Sequence, residues 1–154
     1  MQKILIFGNS GSGKTTMAKQ LATSHGIPHF DLDTCAWNEP GVRKSLKESQ
    51  KVIDKFVAEH SSWVIEGSYG SLVELVLEHC NELRFLNPGI EKCLQNCDSR
   101  PWEPEKYPTP EAQNQNLEML KNWVRDYEIR EDEYSYREHQ RIFERYLGKK
   151  QEYR

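Results

Sequence analysis

Eight residues near the start, Gly8-Asn9-Ser10-Gly11-Ser12-Gly13-Lys14-Thr15, constrain this chain more than any others. They satisfy G-x-x-x-x-G-K-[ST] without a mismatch. Lys3-Ile4-Leu5-Ile6-Phe7 precedes them, a short apolar run of the kind a buried strand needs. Met17, Ala18, Leu21 and Ala22 come after them at the spacing of an amphipathic helix. Strand, glycine turn and helix, in that order, form the setting in which such a loop wraps a phosphate. Glycines let the backbone curl until successive N–H groups point inward, and the helix N-terminus extends the nest. Lys14 is expected on the β- and γ-phosphates as a mobile point charge, with Thr16 just behind it. The Thr15 hydroxyl is expected on Mg²⁺, which binds the phosphates as well. The loop therefore predicts Mg-ATP as ligand and leaves GTP open, because it reads phosphates and not bases.

Downstream, His29-Phe30-Asp31-Leu32-Asp33 reads as a short strand ending in carboxylates. Acidic residues at that end of a strand lie over the sheet edge where α/β folds bind ligands. The spacing places Asp31 and Asp33 on one side of the strand. One is expected to bear on Mg²⁺ through water and the other on an acceptor substrate, against the alternative of a solvated loop. The stretch from Thr34 to Ser45 reads as a loop and, extended to about residue 60, as an acceptor-binding flap. Within it, Trp37 either stacks on a planar ligand or covers core, and Arg43 either clamps an anion or is solvated. Val52, Ile53, Phe56 and Val57 mark the next helix.

Trp63-Val64-Ile65-Glu66 is an apolar strand closed by an acid, the pattern of a Walker B position, so Glu66 is the third candidate for Mg²⁺. Gly67 and Gly70 allow close approach of an acceptor, with Tyr69 beside them. Leu83 to Asn87 reads as a fourth strand, with helices around it. Strands alternating with helices imply a parallel sheet with right-handed crossovers. Residues 99 to about 116 hold Pro101, Pro104, Pro108 and Pro110 and have no period; a loop this long reads as a lid. Arg100 opens it and is the candidate catalytic arginine. Arg125, Arg130, Arg137 and Arg141 lie among acids, mostly a solvated face, with one or two open to the cleft. Lys149 to Arg154 is short and polar, so four strands are expected and at most five.

With 154 residues, the chain is expected to form a single α/β domain. A net charge of −3 opposes general nucleic-acid binding. No apolar run approaches a membrane span and no leader is evident, so a cytoplasmic protein is expected. Cys35, Cys80, Cys93 and Cys97 lack zinc spacing and read as reduced thiols. The oligomeric state is open between monomer and homodimer.

On its P-loop, Leu32-Asp33 with Trp37 four residues on, Ile65-Glu66-Gly67-Ser68-Tyr69 and Arg100, the chain resembles small P-loop kinases. It is similar to the adenylate kinase and shikimate kinase group, and to the branch labelled DNA topology modulation protein-like. The resemblance implies a three-layer P-loop NTPase fold with strand order 2-3-1-4-5, helices on both faces and a lid. It also implies transfer of the γ-phosphoryl of ATP to a small acceptor, a nucleotide or a hydroxylated metabolite such as shikimate. Lys14, Asp33 and Arg100 are the catalytic candidates, and Asp33, Trp37, Arg43, Gly67 and Tyr69 the acceptor-binding ones. Asn96 stands where these kinases usually carry the first of two lid arginines. The competing reading is a nucleotide switch or slow ATPase without a small acceptor.

Overall fold

The structure is a computed structural model that describes residues 1–39 and 41–154. Pro40, which the sequence reading includes in the loop after the acidic strand, lies outside the described residues. A five-stranded parallel sheet forms the centre, in the order β2-β5-β1-β6-β7. Its strands are β1 (Lys3–Gly8), β2 (His29–Asp31), β5 (Trp63–Gly67), β6 (Glu82–Leu86) and β7 (Lys149–Tyr153).

The two central strands, β1 and β5, are apolar almost throughout because both of their faces are covered. Leu5, Phe7, Trp63 and Ile65 face one side. There they pack with residues of α3 (Leu46–Glu59), α4 (Gly70–Leu77) and α7 (Tyr136–Arg145). Ile4, Ile6 and Val64 face the other side and meet Ala18, Met17 and Leu21 of α1 (Lys14–His25). Helices on both faces make the three layers. A third cluster, Cys93, Cys97 and Val124, joins α5 (Ile90–Asp98) to α6 (Pro110–Arg125) beside the P-loop. Local chemistry starts several of these helices. Ser45, Thr109 and Ser135 each accept an N–H of the first turn, and Pro110 takes a first-turn position where no donor is needed. All four cysteines are free thiols.

Three expectations are corrected. First, the sheet has a fifth strand, although Lys149–Tyr153 is polar. An edge strand needs only one partner, and β7 finds complementary groups on β6. Lys149 lies 3.2 Å from Glu82, the Asn87 side chain donates to Glu152 at 3.0 Å, and the Arg84 guanidinium sits 5.9 Å from the Tyr153 ring centroid.

Second, the expected loop after Asp33 is structured. It contains the short helix α2 (Asp33–Ala36) and a hairpin of β3 (Trp37–Glu39) and β4 (Val42–Arg43). Lys44 N–H donates to the Ala36 carbonyl at 2.8 Å and the Ser49 hydroxyl to the Cys35 carbonyl at 2.8 Å, which fastens the segment to α3. Third, Asp33 is not on the strand. β2 stops at Asp31, and Asp33 opens α2. The two carboxylates come together because the chain turns there, with Asp33 N–H donating to Asp31 Oδ1 at 2.9 Å.

Candidate active site

A cleft of about 1140 Å³ lies over the ends of β1, β2 and β5, roofed by the segment between α5 and α6. Its floor is the glycine loop. Gly11 has φ +79°, and a Cβ there would lie 2.4 Å from the Cys93 carbonyl oxygen, so only glycine fits against α5. Asn96 Nδ2 donates to the Gly11 carbonyl at 2.7 Å, which holds the loop from the same side. Asn96 thus supports the phosphate loop from the place where the resemblance puts a lid arginine.

α1 begins at Gly13 with no side-chain cap and no acid in its first turn, which leaves its leading N–H groups and dipole for an anion. Lys14 Nζ rests on the Asn9 carbonyl at 2.8 Å. Burial pushes the Lys14 pKa down, opposed by the nearby Glu66 charge. Ser10 to Thr16 line the cleft, whereas Gly8 and Asn9 lie beneath it. Asn9 is buried, and its amide nitrogen reaches the Val124 carbonyl at 3.4 Å.

Glu66, the last residue but one of β5, lies beside Asp31 of β2, in register across the sheet. Its Oε2 accepts the Thr15 hydroxyl at 2.7 Å and meets His29 Nε2 at 3.2 Å. Burial alone would raise the Glu66 pKa, but the His29 hydrogen bond, the Lys14 charge and the Thr15 hydroxyl outweigh it, and the pKa falls. Asp31 is raised instead, first by burial and then by the Glu66 charge. Mg²⁺ binds through one or two protein groups together with phosphates and water. Thr15, Glu66 and Asp31 suit that pattern. Among the described residues, no set of three His, Cys, Asp or Glu side chains could hold a metal by itself.

At the other end, Trp37 Nε1 donates to the Tyr69 hydroxyl at 3.0 Å, and that hydroxyl donates in turn to Asp33 Oδ1. Burial, then the Asp33 charge, raises the Tyr69 pKa and keeps the phenol protonated as a donor. One Asp33 oxygen is thereby fixed and the other, Oδ2, faces the cleft side occupied by Lys106 Nζ at 3.3 Å. Trp37 also lines the cleft, so it both faces ligand space and orients Tyr69. Gly67 is glycine for packing, since a Cβ would lie 2.8 Å from Leu32 Cβ. Arg43 stands outside the cleft lining. It donates to the Tyr134 hydroxyl at 2.7 Å, lies 3.6 Å from Glu133, and sits over the Trp37 and Tyr69 rings at 5.6 and 5.0 Å.

The segment between α5 and α6, expected to lack structure to about residue 116 but ended at Pro110 by α6, contributes Arg100, 3.6 Å from Glu103, and a residue the sequence reading missed. Lys106 Nζ lies 3.5 Å from Asp31 Oδ2, 3.3 Å from Asp33 Oδ2 and 3.3 Å from Glu103. Only the Glu103-x-x-Lys106 spacing hints at a local pair; nothing local points to the aspartates. His29 was passed over as well, and its position two residues before Asp31 on the same side of the strand is the signal that could have found it. Tyr134 and Trp123 complete the aromatic wall, with ring centroids 5.2 Å apart. Arg125, Arg130, Arg137 and Arg141 do not line the cleft; they pair with Asn122, Asp132, Glu131 and Glu138 respectively.

Known proteins agree with this architecture. A family model described as "ATPase family associated with various cellular activities (AAA)" matches residues 4–65, the segment that builds the phosphate loop. No curated protein matches the chain. Among solved structures, a gluconokinase from Sinorhizobium meliloti 1021 is similar, at 17% identity and TM-score 0.50 over 77% of this chain and 74% of its own. A sugar kinase from Janibacter sp. HTCC2649 is similar at 15% identity and TM-score 0.52, over 99% of this chain and 85% of its own. At such identities the likeness is one of fold. The chain shares the fold of these two structures, and the segment matched by the family model carries the P-loop motif.

Proposed function

We propose that this chain binds Mg-ATP in the P-loop cleft and transfers its γ-phosphoryl group to a hydroxyl of a small-molecule acceptor held at Asp33. One observation carries the reading: a phosphate loop and an oriented carboxylate, whose second oxygen Asp33 Oδ2 meets, among the described residues, only Lys106 of the roofing segment, share one cleft. Bound Mg²⁺ would neutralise phosphate charge, held by Thr15 and, through water, by Glu66 and Asp31.

Lys14 leaves the Asn9 carbonyl for the β- and γ-phosphate oxygens, and the N–H groups after Gly13 hold the same oxygens. Asp33 Oδ2 accepts the acceptor's hydroxyl proton as that oxygen bonds to phosphorus. The bond from the γ-phosphorus to its bridging oxygen breaks, and ADP leaves with the electron pair. Tyr69 keeps Asp33 turned toward the acceptor, and Arg100 adds positive charge at the lid. Acceptors of the nucleotide or hydroxylated-metabolite class fit such a site. GTP remains an alternative donor.

The deciding experiment measures ADP release with a panel of nucleoside monophosphates and hydroxylated metabolites, in wild type and Asp33→Asn. Acceptor-dependent turnover in wild type should fall by roughly 10²- to 10⁴-fold in the variant, while ATP affinity is kept. Turnover that no acceptor raises would favour a slow ATPase or switch instead.

A further inference from the structure

The acceptor end of the cleft carries more negative charge than phosphoryl transfer calls for. Asp31, Asp33, Glu103 and Glu105 line it, with Lys106 against three of them and Arg100 3.6 Å from Glu103. Arg43, which could have received an anion, is committed behind the wall to Tyr134 and Glu133. Arg100 is shared between the two ends, since its charge acts on Lys14 and it pairs with Glu103. Mg²⁺ would offset Asp31 and Glu66 on the nucleotide side and Arg100 would offset Glu103, but Asp33 and Glu105 remain.

What those carboxylates hold is informative. The Lys106 ammonium lies within 3.5 Å of Asp31, Asp33 and Glu103, and it faces the very oxygen of Asp33 that Tyr69 leaves free. It arrives on the lid, not on the sheet. Beside it, Trp37, Tyr69, Tyr134 and Trp123 form a continuous aromatic wall, with Tyr69 and Tyr134 centroids 5.3 Å apart. An aromatic face takes the apolar side of a polyol ring and attracts a nearby cation.

We infer that the acceptor carries a primary ammonium as well as hydroxyls, as an amino sugar or amino alcohol does, and that the Lys106 ammonium is the internal group it displaces. The inference rests on the kinase reading for the role of Asp33, but its charge preference can be read from binding alone. Both the Asp33 oxygen that Lys106 meets and the ring wall then have a ligand. A carboxylate-bearing acceptor would enter against like charge, since the two cations beside those carboxylates, Lys106 and Arg100, are already paired with them.

Calorimetric titration of the full chain with D-glucosamine, D-glucose and D-glucuronate tests this, without nucleotide and again with a non-hydrolysable Mg-ATP analogue. The three probes share a pyranose ring and differ mainly in charge. Glucosamine should bind about tenfold or more tighter than glucose, as expected for hydrogen bonds to charged partners. Glucuronate should bind weakest, and the spread should narrow as salt rises. Lys106→Met should tighten glucosamine further, because the internal competitor is gone. Glucuronate binding as tightly as glucosamine, glucosamine failing to bind at tens of millimolar, or glucosamine weakened in Lys106→Met would each overturn the inference. Separately, failure of the Mg-ATP analogue to bind would remove the kinase reading, while the charge order without nucleotide would still judge the pocket.

Discussion

Lys14 is a buried cation whose partners within the protein are weak ones. Its ammonium has a backbone carbonyl at 2.8 Å and feels the Glu66 charge, yet burial still lowers its pKa. A phosphate supplies the negative charge it lacks, so the position is preset for an anion. Glu66 depends on the same environment, held ionised against burial by His29, Lys14 and Thr15. Lys14→Ala should therefore leave a folded chain that no longer gains stability from Mg-ATP. Wild type at a hundredfold excess over Kd should gain about 2.7 kcal/mol, and the variant close to none. Thermal unfolding with and without nucleotide measures both, and an undiminished ATP shift in the variant would refute the role given to Lys14.

Among the elements, α5 is the one whose importance is hardest to see from its own residues. It presses the Cys93 carbonyl against Gly11 and holds the Gly11 carbonyl through Asn96. The loop shape thus depends on a helix that contributes no phosphate ligand. Gly11→Ala places a methyl group where the Cys93 oxygen stands and forces a left-handed backbone on alanine. We expect a lowered melting temperature together with ATP affinity reduced at least about tenfold, read by titration with a fluorescent ATP analogue. Unchanged affinity would mean that the loop is shaped independently of α5.

The same contrast governs which elements were legible. β1, α1, α3 and β5 carry their periodicity and caps in contiguous residues. β7 does not: Lys149–Tyr153 is a strand because β6 offers a matching edge, with Glu82 for Lys149 and Arg84 for Tyr153. The hairpin at Trp37–Arg43 likewise depends on its ties to Ala36 and α3.

For the molecule as a whole, His139 links the core to the site. It is fully buried, Nε2–H donates to the Ser68 carbonyl at 2.8 Å, and the Tyr127 hydroxyl meets Nδ1 at 2.7 Å. Phe7 and Phe85 meet its ring edge-on. Burial drives its pKa down to about 4; the Ser68 bond and Glu138 act against this, and Lys14 and Arg130 add to it. Between that value and its unfolded value near 6.5, the unfolded chain binds a proton that the folded chain refuses. Stability should therefore fall as pH drops through this window, by roughly 3 kcal/mol at most from this group. His139→Gln should start lower in stability at pH 7 and lose this part of the pH slope. Urea unfolding from pH 7 to 4 measures both, and equal slopes in the two proteins would reject the assignment.

The sequence by itself determined the glycine loop, because its glycines, Lys14 and Thr15 lie in one contiguous turn whose geometry is local. It also determined the alternating strand and helix order, since periodicity is local too. Only the tertiary structure decided that Lys106 rests on Asp31 and Asp33, that His139 backs the loop bearing Tyr69, and that Asn96 holds Gly11. Those contacts join segments far apart in the chain. They exist because apolar faces and steric fit bring the segments together, and no spacing along the sequence encodes such a meeting.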